Sequence, residues 1–225
     1  MTTSPHDAQL TDPLTDPLEG DPRLPAYFGE AWTQVEGFAR LLRGEGELRG
    51  LIGPREQSRL WERHLLNSAA VVQHLPSTGL IVDVGSGAGL PGVVIAAMLP
   101  EAHVVLLEPM ERRTQWLEEV VAALGLSNAR VERGRAEEFD GALEADAVTA
   151  RAVAAMDKLA RWCLPLLRPG GQLVALKGSS AQEELERAKY TLRKLGADAG
   201  EVLDAPTLDG VDSTTVVRVM RKTVR

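Results

Sequence analysis

The sequence of 225 residues predicts one α/β unit, a mostly parallel sheet with helices on both faces, preceded by a helical cap. Three observations carry that prediction. Apolar runs of strand length alternate with stretches of helical spacing from position 80 onward. A glycine-dense turn, Gly85-Ser86-Gly87-Ala88-Gly89-Leu90-Pro91-Gly92, joins the first of those strands to the helix after it. Upstream, residues 23–78 carry helical periodicity. Helix-linked strands pair in parallel through right-handed crossovers, and a chain of this length supports one ordinary domain with appendages.

Residues 1–22 hold the tandem Thr-Asp-Pro-Leu at 11–18 and little apolar material, which reads as a disordered acidic leader. From Leu24 to Leu48, Phe28, Trp32, Val35, Phe38, Ala39 and Leu42 recur at helical spacing and predict an amphipathic helix. Gly44, Gly46, Gly50 and Gly53 then punctuate a turn. Pro54 suits the first turn of a second helix carrying Leu60, Trp61, Leu65, Leu66, Ala69 and Val72, which Pro76 and Gly79 end. Residues 23–78 are thus expected to cap the core, residues 79–225. Seven strands are expected there, at 80–84, 102–108, 129–133, 146–150, 172–177, 200–204 and 214–220. Helices are expected at 89–99, 110–125, 154–168 and 181–195, with Pro169-Gly170-Gly171 as a turn.

The turn after the first strand carries the chemistry. Glycines there permit positive φ and let a ligand touch the backbone, and the following helix offers its N-terminal N–H groups. Gly87-Ala88-Gly89-Leu90-Pro91-Gly92 satisfies the dinucleotide pattern G-x-G-x-x-G, a weak match alone. Asp83 stands two residues before the first glycine. A pyrophosphate has no use for a carboxylate so close, whereas a ligand bearing ammonium and sulfonium groups does. That favours S-adenosylmethionine. Glu108 closes the next apolar run about 20 residues on, where a carboxylate takes ribose hydroxyls in either cofactor class. Ligands of such sheets bind outside the carboxyl ends of the strands. Gly85, Glu108, Arg133 to Glu138 and Arg151 fall at those ends, so one cleft is expected to collect them.

A formal net charge of −7 argues against a general nucleic-acid binder, yet its distribution is uneven. Residues 1–50 hold nine acids and four bases, and the remainder is nearly balanced. Bases cluster at Arg112-Arg113, at Arg130, Arg133 and Arg135, and at Arg218, Arg221, Lys222 and Arg225. Such patches hold phosphates or are ordinary solvated faces. The lone cysteine, Cys163, lies in an apolar helical stretch and suits a reducing compartment. No basic-then-apolar leader opens the chain, and no run reaches the roughly 18 apolar residues of a membrane span. A soluble, cytoplasmic protein without a membrane or metal partner is expected, as a monomer.

Ile81–Gly92 resembles motif I of the class I S-adenosylmethionine-dependent methyltransferases. More specifically, several blocks resemble the bacterial glucose-inhibited division protein B family. They are Leu60-Trp61-Glu62-Arg63-His64-Leu65-Leu66-Asn67-Ser68, Asp83–Gly92, Leu106-Leu107-Glu108-Pro109 with Arg112-Arg113, Gly134-Arg135-Ala136-Glu137-Glu138, Ala150-Arg151-Ala152 and Ala175-Leu176-Lys177-Gly178. The resemblance spans roughly residues 50–180 and implies a Rossmann-like class I methyltransferase fold. It also implies methylation of guanine N7 in 16S ribosomal RNA of the small subunit, with S-adenosylmethionine as cofactor. By the same resemblance, Gly85 and Leu90 lie beside the methionine part of the cofactor and Ala136 and Glu137 against the adenine. Glu108 matches the ribose acid, and Arg151 the arginine at the reaction face. Many relatives carry Asp where Asn67 stands and Ser where Ala150 stands.

Guanine N7 keeps a free lone pair, so no general base is expected, and Arg151 is the candidate substrate-side residue, on a phosphate or guanine O6. The alternative for Arg151 is an ion pair with Glu137 or Asp146. His64 and Asn67 lie one helical turn apart and can face the same surface, and by the resemblance His64 is expected to help order the cap over the cofactor. Lys177 is expected either to hold an RNA phosphate or to be solvated. Other readings keep the cofactor with a small-molecule or protein acceptor, or keep the fold as a non-catalytic RNA-binding module. A nicotinamide oxidoreductase is disfavoured by Asp83 and by the lack of a hydride-transfer site.

Overall fold

A computed structural model describes residues 16–151 and 153–223. Its core is a sheet of seven strands: β1 Gly79–Val84, β2 Ala102–Glu108, β3 Ala129–Arg133, β4 Ala145–Arg151, β5 Leu167–Lys177, β6 Glu201–Ala205 and β7 Thr214–Met220. Their order is β3-β2-β1-β4-β5-β7-β6. Strands β1 to β5 pair in parallel, whereas β7 runs antiparallel to both β5 and β6. Chain order therefore reverses between β1 and β4, the switch point where α/β sheets open a crevice.

Strand alternation divides the core into two layers. Ile81, Leu106, Ala147 and Val174 face the cap with α4 (Gly92–Met98) and α5 (Glu111–Leu124). Val82, Val105, Val148 and Ala175 face α6 (Met156–Cys163) and α7 (Ala181–Lys194). Residues 110–125 hold one helix, as expected, closed by Gly125 in the left-handed region. The expected turn at Pro169-Gly170-Gly171 lies inside β5. Ala145 pairs with Leu167 and Ala147 with Gln172, so the Pro-Gly-Gly segment is a bulge extending one strand.

The cap departs most from its sequence reading. The single helix expected from Leu24 to Leu48 is two, α1 (Arg23–Phe28) and α2 (Trp32–Glu45), parted by a short 3₁₀ turn at Gly29–Ala31. The second expected helix is a composite: 3₁₀ at Pro54–Arg59, π at Leu60–Leu66, α3 at Asn67–Ala70 and 3₁₀ at Val71–His74. Apolar packing dictates the run, with Leu60, Trp61, Leu65 and Leu66 all buried while the hydrogen-bond pattern changes beneath them. The rings of Trp32 and Trp61 stack at 5.6 Å.

The expected leader at 1–22 falls largely outside the described residues. From Asp16 onward the chain is fastened to the cap, contrary to expectation. Asp16 is 3% exposed and accepts the Trp61 backbone N–H at 2.7 Å. Glu19 accepts Trp61 Nε1–H at 2.9 Å and pairs with Arg43. A buried acid persists where backbone donors and an arginine meet it, which explains why composition alone misjudged this stretch.

Candidate functional site

The first strand ends at Val84 and the chain turns back over its own edge. Gly85 takes φ +72°, and a Cβ there would stand 3.1 Å from the Val153 side chain. The turn closes through Gly85 N–H to Leu107 O at 2.8 Å and Gly89 N–H to Ser86 O at 2.7 Å. Trp116 of α5 donates Nε1–H to Ala88 O at 2.9 Å, clamping the loop from outside.

Two buried carboxylates shape this turn from below. Asp83 is fully buried, with Oδ2 accepting Gly92 N–H at 3.0 Å and Oδ1 left without a partner. Burial pushes its carboxyl up from 3.8 to about 7. Thr149, its register partner on β4, has an equally orphaned Oγ1. Glu108 is 2% exposed and accepts Gly87 N–H through Oε2 and Met110 N–H through Oε1, both at 3.0 Å. Each Glu108 oxygen retains a second lone pair for a ligand hydroxyl.

A cavity of about 700 Å³ opens above the loop at the carboxyl ends of β1, β2 and β4. Of the expected site residues, Gly85, Leu90, Glu108, Ala136, Glu137 and Arg151 line it. Asp83 does not; it lies beneath the loop and bonds to Gly92, so its direct grip on a ligand is replaced by support of the turn. Leu51, Met110, Arg113, Lys158 and Trp162 line the cavity and escaped sequence reasoning. Only Arg113 left a trace, as half of the Arg112-Arg113 block. Its buried Nε has no partner, and its NH1 stands 3.9 Å from Glu108.

Arg151 ends β4 and enters the cavity, with neither Glu137 nor Asp146 as partner. Asp146 pairs instead with Arg168 at 2.6 Å. Arg151 donates NH1–H to the backbone carbonyl of Arg63 at 3.1 Å, joining sheet to cap. Burial lowers its pKa, which the charge of Asp83 and then that of Glu56 oppose. His64 is buried and meets Glu56 Oε2 through Nε2 at 2.8 Å. Desolvation, with Arg151 nearby, pulls its pKa from 6.5 down to about 4. Asn67 faces elsewhere, its Oδ1 accepting Thr214 Oγ1–H at 2.7 Å.

Lys177 is neither solvated nor free for phosphate. Its Nζ donates to Ala154 O at 2.6 Å and Glu184 Oε2 at 2.8 Å with the side chain 9% exposed. Two members of the basic tail are likewise committed, Arg218 to Glu201 and Arg221 to the carbonyls of Leu164, Pro165 and Leu167, while Lys222 is exposed. Arg225 lies outside the described residues. Cys163 is buried, which pushes its thiol pKa up. Among the described residues, no three metal-ligating side chains gather and no helix is long and apolar enough to cross a membrane.

The antiparallel seventh strand, the glycine turn over a buried acid and the second acid at the end of β2 together define a class I S-adenosylmethionine-dependent methyltransferase. An S-adenosylmethionine-dependent O-methyltransferase of Thermotoga maritima shares the fold, with a TM-score of 0.55 at 17% identity over 76% of this chain and 71% of its own. The chain belongs to the rRNA small subunit methyltransferase G family, which matches residues 32–207. Ribosomal RNA small subunit methyltransferase G of Thermobifida fusca is 52% identical over 85% of this chain and 81% of its own length. The protein of that name from Salinispora arenicola is 48% identical over 93% and 90%.

Proposed function

We propose that the protein transfers the methyl group of S-adenosylmethionine to N7 of a guanine in 16S rRNA of the small ribosomal subunit, in the cytoplasm and as a monomer. The observation that carries this reading is what the cavity wall lacks. Among the described residues it holds no histidine, cysteine, tyrosine or aspartate, and its buried acid, Glu108, is committed to two backbone N–H groups. The other carboxylate on the wall, Glu137, is exposed on the segment expected to lie against the adenine, so an acceptor that must lose a proton finds no buried base beside the glycine turn. Guanine N7 needs none, so alignment of nucleophile and methyl carbon suffices.

The chain fits the cofactor by its own chemistry. Glu108 has spare lone pairs for the ribose, Ala136 and Met110 offer apolar walls for the adenine, and the glycine turn leaves backbone accessible to the methionine end. The cofactor, when bound, supplies a methyl group on a cationic sulfur. Asp83 keeps the turn in place through Gly92. Among the described residues Arg151 makes one hydrogen bond, leaving four of the five guanidinium N–H groups for a phosphate or guanine O6. A contact to N7 itself would block the reaction.

Unpaired cations support an RNA partner. Most bases of the chain have a carboxylate beside them, as Arg59 has Glu62 and Arg133 has Glu111. Arg55, Arg63, Arg112, Arg135 and Lys158 have none among the described residues and sit on the cavity wall or on segments flanking it; Arg161, Arg193, Lys194 and Lys222 also have none and lie on α6, α7 and the segment after β7. The deciding experiment maps methylated guanines in 16S rRNA by mass spectrometry from cells with and without this protein. The reading expects one N7-methylguanine to vanish without it and to return when purified protein and labelled cofactor are added. Persistence of every methylated guanine would overturn it.

A further inference from the structure

We infer that Glu56, His64 and the backbone carbonyl of Arg63 form a hydrogen-bonded device in the cap that positions Arg151 in the cleft. The inference rests on Arg151 acting on the substrate side, as proposed above. Its starting point is the π segment Leu60–Leu66, a rare helical form that recurs at functional sites. Arg63 and His64 lie in the middle of it. The carbonyl of Arg63 is directed across to β4, where it accepts the Arg151 NH1–H at 3.1 Å. Among the described residues no side chain of the sheet hydrogen-bonds this guanidinium; Asp83 acts on it by charge without a direct bond. The orientation of a sheet residue is therefore fixed by a main-chain atom of the cap.

The carbonyl is in turn held in place from several sides. His64, the next residue, is neutral at pH 7, so its contact with Glu56 Oε2 at 2.8 Å requires the proton on Nε2. Nδ1 is then a lone pair and is the buried atom left without a partner. The His64 carbonyl accepts Ser68 Oγ–H at 2.6 Å, and Asn67 ties the end of the segment to Thr214 of β7. Glu56 stands on the preceding 3₁₀ helix, partly exposed, and is the one member whose removal leaves the core packing intact. Asp83, Glu56 and the Arg63 side chain are the charges around Arg151, and none of them forms a direct ion pair with it. Glu56 thus acts through His64 and is a positioning residue.

A double-mutant cycle on methyl transfer to small-subunit RNA tests this. Glu56→Ala should lower kcat by about tenfold to a hundredfold, the cost of a misplaced group, while cofactor affinity measured by titration stays within about threefold. Glu56→Gln keeps an acceptor for His64 Nε2–H and should restore most of the loss. In the Arg151→Ala background, Glu56→Ala should cost nothing further, because the residue it serves is gone. Losses that multiply instead, or a Glu56→Gln variant as slow as Glu56→Ala, would overturn the positioning device while leaving the role of Arg151 standing. Full activity in Arg151→Ala alone would overturn the role of Arg151 itself, and those two failures are read from different variants.

Discussion

Two buried side chains of the site make the protein's stability respond to pH, and they pull in opposite directions. Burial favours the protonated form of Asp83, its carboxyl raised from 3.8 to about 7. The folded chain keeps a proton that the unfolded chain has released, so this residue costs stability progressively as pH climbs from about 4 to about 7. His64 is lowered from 6.5 to about 4. The unfolded chain takes up a proton that the folded chain refuses, so stability contributed by neutral His64 is lost as pH falls through the same interval. The two slopes oppose each other between about 4 and 6.5, so the contributions of these two residues offset one another there. Asp83→Asn removes one slope. Its Tm relative to the unsubstituted protein should rise steadily across that interval and up to about pH 7, and a pH-independent difference in thermal melts would refute the assignment. Arg151 makes a different prediction, because it has a single hydrogen bond among the described residues. Arg151→Ala should cut kcat by about a hundredfold or more and shift Tm little. A large drop in Tm with activity per folded molecule intact would make the residue structural.

Elements differ in how openly the sequence declares them. Strands β1, β2, β4 and β7 are buried on both faces or nearly so, and their short segments rich in Val, Ile, Leu and Ala announced them. Helix α5 was equally legible, since one face packs and the other is solvated. The composite helix at Pro54–His74 was not, because apolar spacing reports which side is buried and is blind to which carbonyl each N–H reaches. One signal was present. Leu60-Trp61 and Leu65-Leu66 repeat at an interval of five, closer to a π repeat than to an α one. The site divides along the same line. The glycine turn and Glu108 were readable because their chemistry is local in sequence, whereas Leu51, Arg113 and Trp162 reach the cavity from three separate elements. Gly92 belongs to the readable part, for it opens α4 and its N–H meets Asp83. A Cβ there would stand 2.6 Å from Asp83 Oδ2, so the carboxylate must move away from its bond. Gly92→Ala should destabilise the fold by about 1–3 kcal/mol, the usual cost of overpacking, and weaken cofactor binding with it. Thermal melts and a cofactor titration check both; unchanged affinity would show that the turn tolerates the loss.

At the scale of the whole molecule, an acidic chain must bring a polyanion to one cleft. The formal charge of −7 repels RNA at a distance, so steering has to come from local arrangement. The sheet supplies it by topology. Every parallel strand delivers its carboxyl end to the same edge, and the cap bends over that edge from the other side. Some cations elsewhere are neutralised by close carboxylates, as in Arg187 with Glu183 and Lys189 with Glu186 on α7, whereas Arg193, Lys194 and Lys222 have no carboxylate partner among the described residues. Near the cleft, Arg55 on the cap and Arg112 on α5 are exposed and have no carboxylate partner among the described residues. The consequence is an interaction that salt weakens while the cofactor, held by buried groups, does not feel it. The Michaelis constant for RNA should rise steeply with potassium chloride, and the cofactor dissociation constant should stay level across the same series. Each cation that meets a single-stranded phosphate contributes about 0.7 to the slope of log affinity against log salt. Arg55→Ala combined with Arg112→Ala should therefore flatten that slope by about 1.4 and leave cofactor titrations unchanged. A slope identical to that of the unsubstituted protein would place the RNA on some other face, and the free cations around the cleft would then be ordinary solvated arginines.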